Sequence, residues 1–132
     1  MKKNLLFAIT FIFAGLVLVS CNTTKKLTAT EKQNIEKKYE VAVGKTQNIE
    51  LSSNASTGYK WALVGDTMNK KILELSKQEY KEGNTSTSMV GAGGTEIFTF
   101  KGVKKGVTYV KLEYKKEGEA AEKTKIFEFE VK

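Results

Sequence analysis

The chain has 132 residues, 22 basic against 15 acidic side chains for a formal charge of +7, one cysteine, no proline and no histidine. Length leaves room for one domain with a core of its own, and the lack of histidine removes Ser-His and Cys-His catalysis together with most zinc chemistry. Every basic residue is lysine; readers of nucleic acid lean on arginine for bidentate and stacking contacts, so no nucleic-acid partner is expected.

In chain order, Lys2 and Lys3 precede an apolar run from Leu5 to Val19 that stops at Cys21. The run is shorter than the roughly 20 residues of a spanning helix, so residues 1–20 read as a secretory signal. Leu18-Val19-Ser20-Cys21 resembles the lipobox of bacterial lipoproteins, which implies acylation of Cys21 and a lipid anchor in the bacterial cell envelope. Asn22 stands where an aspartate would resemble an inner-membrane retention signal, which points to the outer membrane. With Cys21 acylated, the chain has neither a disulfide nor a free thiol nucleophile.

Residues 21–38 are polar and lysine-rich, with Leu27 and Ile35 their only large apolar side chains, and read as a flexible tether. Thr30 with Gln33 fits a capping box for one helical turn, but so little apolar surface cannot hold a helix on a core. A single domain, 39–132, follows.

Regular alternation starts at Tyr39, Val41 and Val43, turns at Gly44-Lys45, and resumes at Ile49 and Leu51. Next come five small residues, Ser53 to Thr57, and Gly58: a turn in which Asn54 bonds its own backbone two residues on and Gly58 takes a positive φ. Tyr59, Trp61 and Leu63 then alternate with Lys60 and Ala62, which places Trp61 in the core. After a turn at Gly65-Asp66, Ile72 to Tyr80 mixes apolar and charged residues as an edge strand does.

Lys81 to Gly94 is a long loop, of a length uncommon in a compact domain unless functional or disordered. Its end, Gly91-Ala92-Gly93-Gly94, leads into the strand Thr95 to Phe100 rather than into a helix, and no Lys-Ser/Thr pair closes it, so it is not a phosphate loop. A basic turn from Lys101 to Gly106, a strand through Thr108, Val110, Leu112 and Tyr114, a loop from Lys115 to Lys123, and a strand through Phe127, Phe129 and Val131 complete the chain. Glu113, Glu117, Glu119 and Glu122 are scattered among lysines as solvated charges rather than set out as a catalytic pair, so no enzyme, metal or cofactor is expected. About seven to eight short strands with scarcely any helix argue an all-β antiparallel β-sandwich.

Asn54-Ala55-Ser56-Thr57-Gly58-Tyr59-Lys60-Trp61 resembles the Asn-Pro-Thr-Thr-Gly-aromatic-x-Trp loop of the chagasin-type inhibitors of papain-like cysteine proteases. Gly91-Ala92-Gly93-Gly94 before Thr95-Glu96-Ile97-Phe98-Thr99-Phe100 is similar to the same family's Gly-x-Gly-Gly and Thr-x-x-Phe-x-Phe pattern. The resemblance covers 38–132 and implies an immunoglobulin-like sandwich whose three loops at one end form a wedge for the protease cleft. On that basis Asn54, Ala55, Ser56, Thr57 and Gly58 form the central protease-binding loop, and Gly91, Ala92, Gly93 and Gly94 flank it.

The family's third motif, Tyr-x-Arg-Pro-Trp, corresponds to Tyr114-Lys115-Lys116-Glu117-Gly118, which adds Tyr114 and Lys116 to the implied contacts but lacks the proline and tryptophan. Loss of such an aromatic anchor costs about 2 kcal/mol or more of binding. Ala55 in place of proline also leaves the loop more freedom to lose on docking. Reversible inhibition by a monomer, weaker or with altered preference, is the expectation. A structural or adhesive immunoglobulin-like lipoprotein without a protease target is the competing one.

Overall fold

The computed structural model describes residues 26–83 and 93–132; the signal segment, Cys21 and its lipobox, and the loop residues Gly91 and Ala92 lie outside them. Seven strands form: β1 Ile35–Val41, β2 Thr46–Ser53, β3 Lys60–Leu63, β4 Leu73–Glu82, β5 Gly94–Gly102, β6 Gly106–Lys115 and β7 Lys123–Val131. They make a four-stranded sheet in the order β1-β7-β6-β3 and a three-stranded sheet in the order β2-β5-β4.

Period-two patterning decides which side of each strand is inside. In β6, Thr108, Val110, Leu112 and Tyr114 are buried while Lys111 and Glu113 face outward. Phe98, Phe100 and Phe129 are fully buried beside Ile49, Leu73, Val110 and Leu112, and the Phe100 and Phe129 rings, 5.4 Å apart, join one sheet to the other. β4 lies at the edge of its sheet, as its charged pattern requires.

One pairing departs from the antiparallel expectation: β1 runs parallel to β7, with Tyr39 beside Phe129 and Val41 beside Val131. No hairpin links these two strands, so direction is free, and side chains fix it. Tyr39 stacks on Phe129 at 5.2 Å, while Lys38–Glu128 and Lys125–Glu36 pair across the strands at 3.1 and 2.7 Å.

The ordered domain also begins earlier than residue 39, so the expected flexible tether over 21–38 is corrected from Leu27 onward. Leu27 is buried, a short helix, α1, spans Ala29–Gln33, and β1 starts at Ile35. The capping box falls on Thr28 and Glu31 rather than on Thr30 and Gln33: the Glu31 N–H donates to Thr28 Oγ1 at 3.3 Å, and the Thr28 N–H donates to Glu31 Oε2 at 2.9 Å. Tertiary contact stabilises what the local apolar count could not. Lys111 Nζ reaches Glu31 Oε1 at 2.9 Å, and its cross-strand neighbour Ile126 is buried although it faces away from the core side of β7. These bonds pull the Glu31 carboxyl down to about 2 from an ordinary 4.5, first through the Thr28 backbone and then through Lys111.

Pairing puts three connections at one end of the sandwich. Ser53 at the end of β2 and Glu82 at the end of β4 both pair with Gly94, and Tyr114 near the end of β6 pairs with Trp61 and Lys123.

Candidate functional site

The β2–β3 connection is a single 3-10 turn, Ala55–Thr57, with Asn54 before it and Gly58 after it. Its bonds are internal. The Thr57 and Gly58 N–H groups donate to the Asn54 and Ala55 carbonyls, both at 3.1 Å. The Thr57 hydroxyl donates to the Asn54 carbonyl at 2.7 Å, and the Ser56 hydroxyl donates to Asn54 Oδ1 at 2.6 Å. The asparagine side chain thus holds the hydroxyl two residues on rather than the backbone. Gly58 has φ +78°, the left-handed conformation that L side chains resist. Ala55, Ser56, Thr57 and Gly58 are exposed, so the turn is a narrow edge of small side chains and main chain.

Beneath it stands an aromatic stack. Tyr114 lies between Tyr59 and Trp61, with ring centroids 5.3 and 5.1 Å away, and its hydroxyl accepts the Asn54 N–H at 3.0 Å. At 9 % exposure Tyr114 stands under the central loop as its pillar. The tyrosine oxygen accepts from the loop itself. Trp61 is in the core as expected, its Nε1–H donating to the Ser52 carbonyl at 3.0 Å. Lys116 Nζ sits 4.9 Å over the Tyr59 ring and Lys123 Nζ 5.6 Å over the Tyr114 ring, so both lysines rim the stack.

Both stems of the loop converge on Glu96. Its Oε1 accepts the Ser53 hydroxyl at 2.7 Å and the Trp61 N–H at 2.9 Å, while Oε2 accepts Gln78 Nε2 at 3.4 Å. Glu96 is 5 % exposed. Among the described residues no lysine lies within ion-pair distance of it, so neutral donors alone compensate the buried carboxylate. The sequence reading missed this residue. Its signal was phase: Glu96 falls in register with the inward Phe98 and Phe100 of β5, where a charged residue needs a reason.

Gly93 and Gly94 reach the same end. Gly94 is the first residue of β5, and a Cβ there would collide with the Lys81 carbonyl and the Tyr80 hydroxyl, so glycine is a packing requirement. Gly93 is exposed beside the Ser53 carbonyl. Asn54, Trp61, Gly94, Tyr114 and Lys123 help to line a shallow pocket of about 420 Å³ at the foot of the loop. Among the described residues no three Asp, Glu, His or Cys side chains converge as a metal site. What this end offers is shape: a preformed convex edge with hydroxyl, carbonyl and N–H groups, on a buried polar and aromatic foundation.

The family model described as Chagasin family peptidase inhibitor I42 matches residues 40–132. Chagasin from Trypanosoma cruzi is 38 % identical over 58 residues, which are 44 % of this chain and 53 % of that protein; the chain spans about half the length of the curated relative it matches. Among solved structures, the cysteine protease inhibitor EhICP2 from Entamoeba histolytica aligns with a TM-score of 0.63 at 23 % identity, covering 77 % of this chain and 91 % of that one. Amebosin in solution aligns with a TM-score of 0.56 at 22 % identity, covering 81 % and 96 %. PbICP-C, solved in complex with falcipain-2, aligns with a TM-score of 0.51 at 21 % identity, covering 84 % and 92 %. At these identities the structural likeness shows the fold alone.

Proposed function

The chain belongs to the chagasin family of peptidase inhibitors, and from that membership we propose that it reversibly inhibits papain-like cysteine proteases by filling the active-site cleft with the loop end of its sandwich. The observation that carries this is the exposed turn Ala55–Thr57, bonded within itself and held from below by the Tyr114 hydroxyl. A loop fixed before binding loses little conformational entropy on docking. Its small side chains let main chain approach the floor of a narrow cleft.

Occlusion is reversible because the exposed hydroxyls of the turn are tied into it. Thr57 Oγ1 donates to the Asn54 carbonyl and Ser56 Oγ to the Asn54 side chain, which leaves neither hydroxyl activated for covalent attack. Gly93 and Lys116 flank the turn. Lys116 keeps a cation at the motif's arginine position, over the Tyr59 ring, while Glu117 and Gly118 stand where the family motif carries proline and tryptophan. The third loop thus contributes charge rather than an aromatic anchor, which favours an altered protease preference.

The proposal extends to location. The lipobox residues Leu18 to Cys21 support an inhibitor acylated at Cys21 and held in the bacterial envelope, and Asn22 after the cysteine supports the outer membrane; Cys21→Ala then abolishes incorporation of labelled palmitate.

Titration against papain and a cathepsin-L-type protease with a fluorogenic peptide tests the activity. Competitive, reversible inhibition is the expected result, with Thr57→Arg raising Ki by roughly a hundredfold by placing bulk in the cleft. Equal inhibition by wild type and Thr57→Arg would remove the central loop from the mechanism.

A further inference from the structure

The end of the sandwich away from Asn54–Gly58 is also a built surface, of a different chemistry. Val43, Val103 and Val107 stand there at 47 %, 41 % and 50 % exposure. They are grouped rather than scattered: Val103 and Val107 flank the turn Lys104 to Gly106, and Val43 bridges to Gly102, the residue before Val103. Main-chain bonds lock the turns together. Gly44 N–H donates to the Gly102 carbonyl at 2.8 Å, Gly102 N–H to the Lys45 carbonyl at 3.0 Å, and Val103 N–H to the Ile72 carbonyl at 2.8 Å.

Lys45, Lys70, Lys71, Lys104 and Lys105 project from the same turns, all exposed. Among the described residues none of the five has a carboxylate within ion-pair distance. The nearby acids are fewer than the lysines: Asp66 is the one acid in these turns, Glu74 at the start of β4 stands beside Lys101, and Glu40 and Glu130 lie 2.9 and 4.0 Å from Lys132. Exposed aliphatic side chains are therefore ringed by unpaired lysines.

We propose that this end docks on an anionic phospholipid surface. The choice of occupant follows from the side chains. Lysine is a compact, strongly hydrated point charge without the planar fork that recognises a particular carboxylate, and the patch holds neither arginine nor the large aromatic side chains that anchor protein interfaces. A lipid headgroup layer asks for no fixed geometry: its diffuse negative potential attracts clustered lysines, and its interface accepts short aliphatic tips. Docking by this end directs the Ala55–Thr57 turn away from the bilayer. It depends neither on acylation of Cys21 nor on the inhibitory activity.

The test uses the unacylated chain from Asn22 onward, which contains every described strand and the whole of the two-sheet core, in sedimentation with vesicles. Binding is expected to vesicles of phosphatidylcholine mixed with phosphatidylglycerol and not to phosphatidylcholine alone, and it is lost near 0.5 M salt, where screening reaches within about 5 Å. The K45Q/K104Q/K105Q variant should partition roughly a hundredfold less, since each lysine near such a surface is worth about fivefold. The K60Q/K77Q/K81Q variant, with the same loss of charge elsewhere, stays within about threefold of wild type. The proposal is overturned by an absence of binding to anionic vesicles at low salt, by equal losses in the two triple variants, or by soluble polyglutamate binding the chain as tightly as the vesicles do, the result expected of an acidic protein partner.

Discussion

The two ends of this sandwich are held in shape by different kinds of bond. At the loop end, side chains do the holding: Glu96 grips Ser53 and Trp61 on either stem, and the Tyr114 hydroxyl takes the Asn54 N–H. At the lysine end, the turns at Gly44 and Val103 are held main chain to main chain through Gly44, Gly102, Val103 and Ile72. Side chains enter there at Asn69, whose N–H donates to Thr108 Oγ1 and whose Oδ1 accepts the Lys71 N–H. Where side chains shape a loop, one substitution changes the loop; where the backbone does so, side chains are released to carry charge and apolar tips. The loop end is therefore the more fragile one, and its fragility is the cost of presenting almost nothing but backbone and small residues.

The most severe way to sharpen this comparison is Glu96→Leu. It leaves the Ser53 hydroxyl and the Trp61 N–H without their acceptor, at about 1–3 kcal/mol for each buried group. A loss of about 3 kcal/mol in urea unfolding is expected, with weakened protease inhibition, whereas Lys104→Gln, an exposed site at the other end, stays within about 0.5 kcal/mol. Equal effects at the two ends would break the comparison. Tyr114→Phe keeps the aromatic stack and removes one acceptor, so it should cost about 2 kcal/mol and speed hydrogen exchange of the Asn54 amide while leaving the Lys104 turn unchanged.

Gly58→Ala is milder. A Cβ there meets nothing within 4 Å, so only the backbone strain at φ +78° remains, about 1 kcal/mol by denaturant titration. The smallest effect is expected between the ends, at α1. Because folding lowers the Glu31 carboxyl to about 2 from 4.5, its contribution is complete above about pH 4.5 and is lost as pH falls toward 2. Glu31→Gln should flatten that part of the stability–pH curve.

Much of this architecture is legible in the chain because it is local. Period-two alternation marks β2, β6 and β7, and Gly58 announces its positive φ after a run of small residues. The parallel pairing of β1 with β7 is not legible, since it joins the two ends of the domain and rests on Tyr39 stacking over Phe129. The capping box shows the same limit. Thr28 with Glu31 and Thr30 with Gln33 both fit the pattern, and Lys111, eighty residues away, selects the first. At the site, the exposed turn follows from residue size, but the inward use of Tyr114 and the clamp at Glu96 depend on packing across two sheets. A motif match assigns a residue to a loop without saying which way its side chain faces.

Hydrogen exchange on the complex with papain tests the central claim most directly. New protection is expected at residues 54–58 and at Gly93 and Gly94, with the turns at Val43 and Val103 exchanging as they do in the free protein. Protection at the lysine end, or a complex that leaves 54–58 unprotected, would contradict occlusion of the cleft by the loop end.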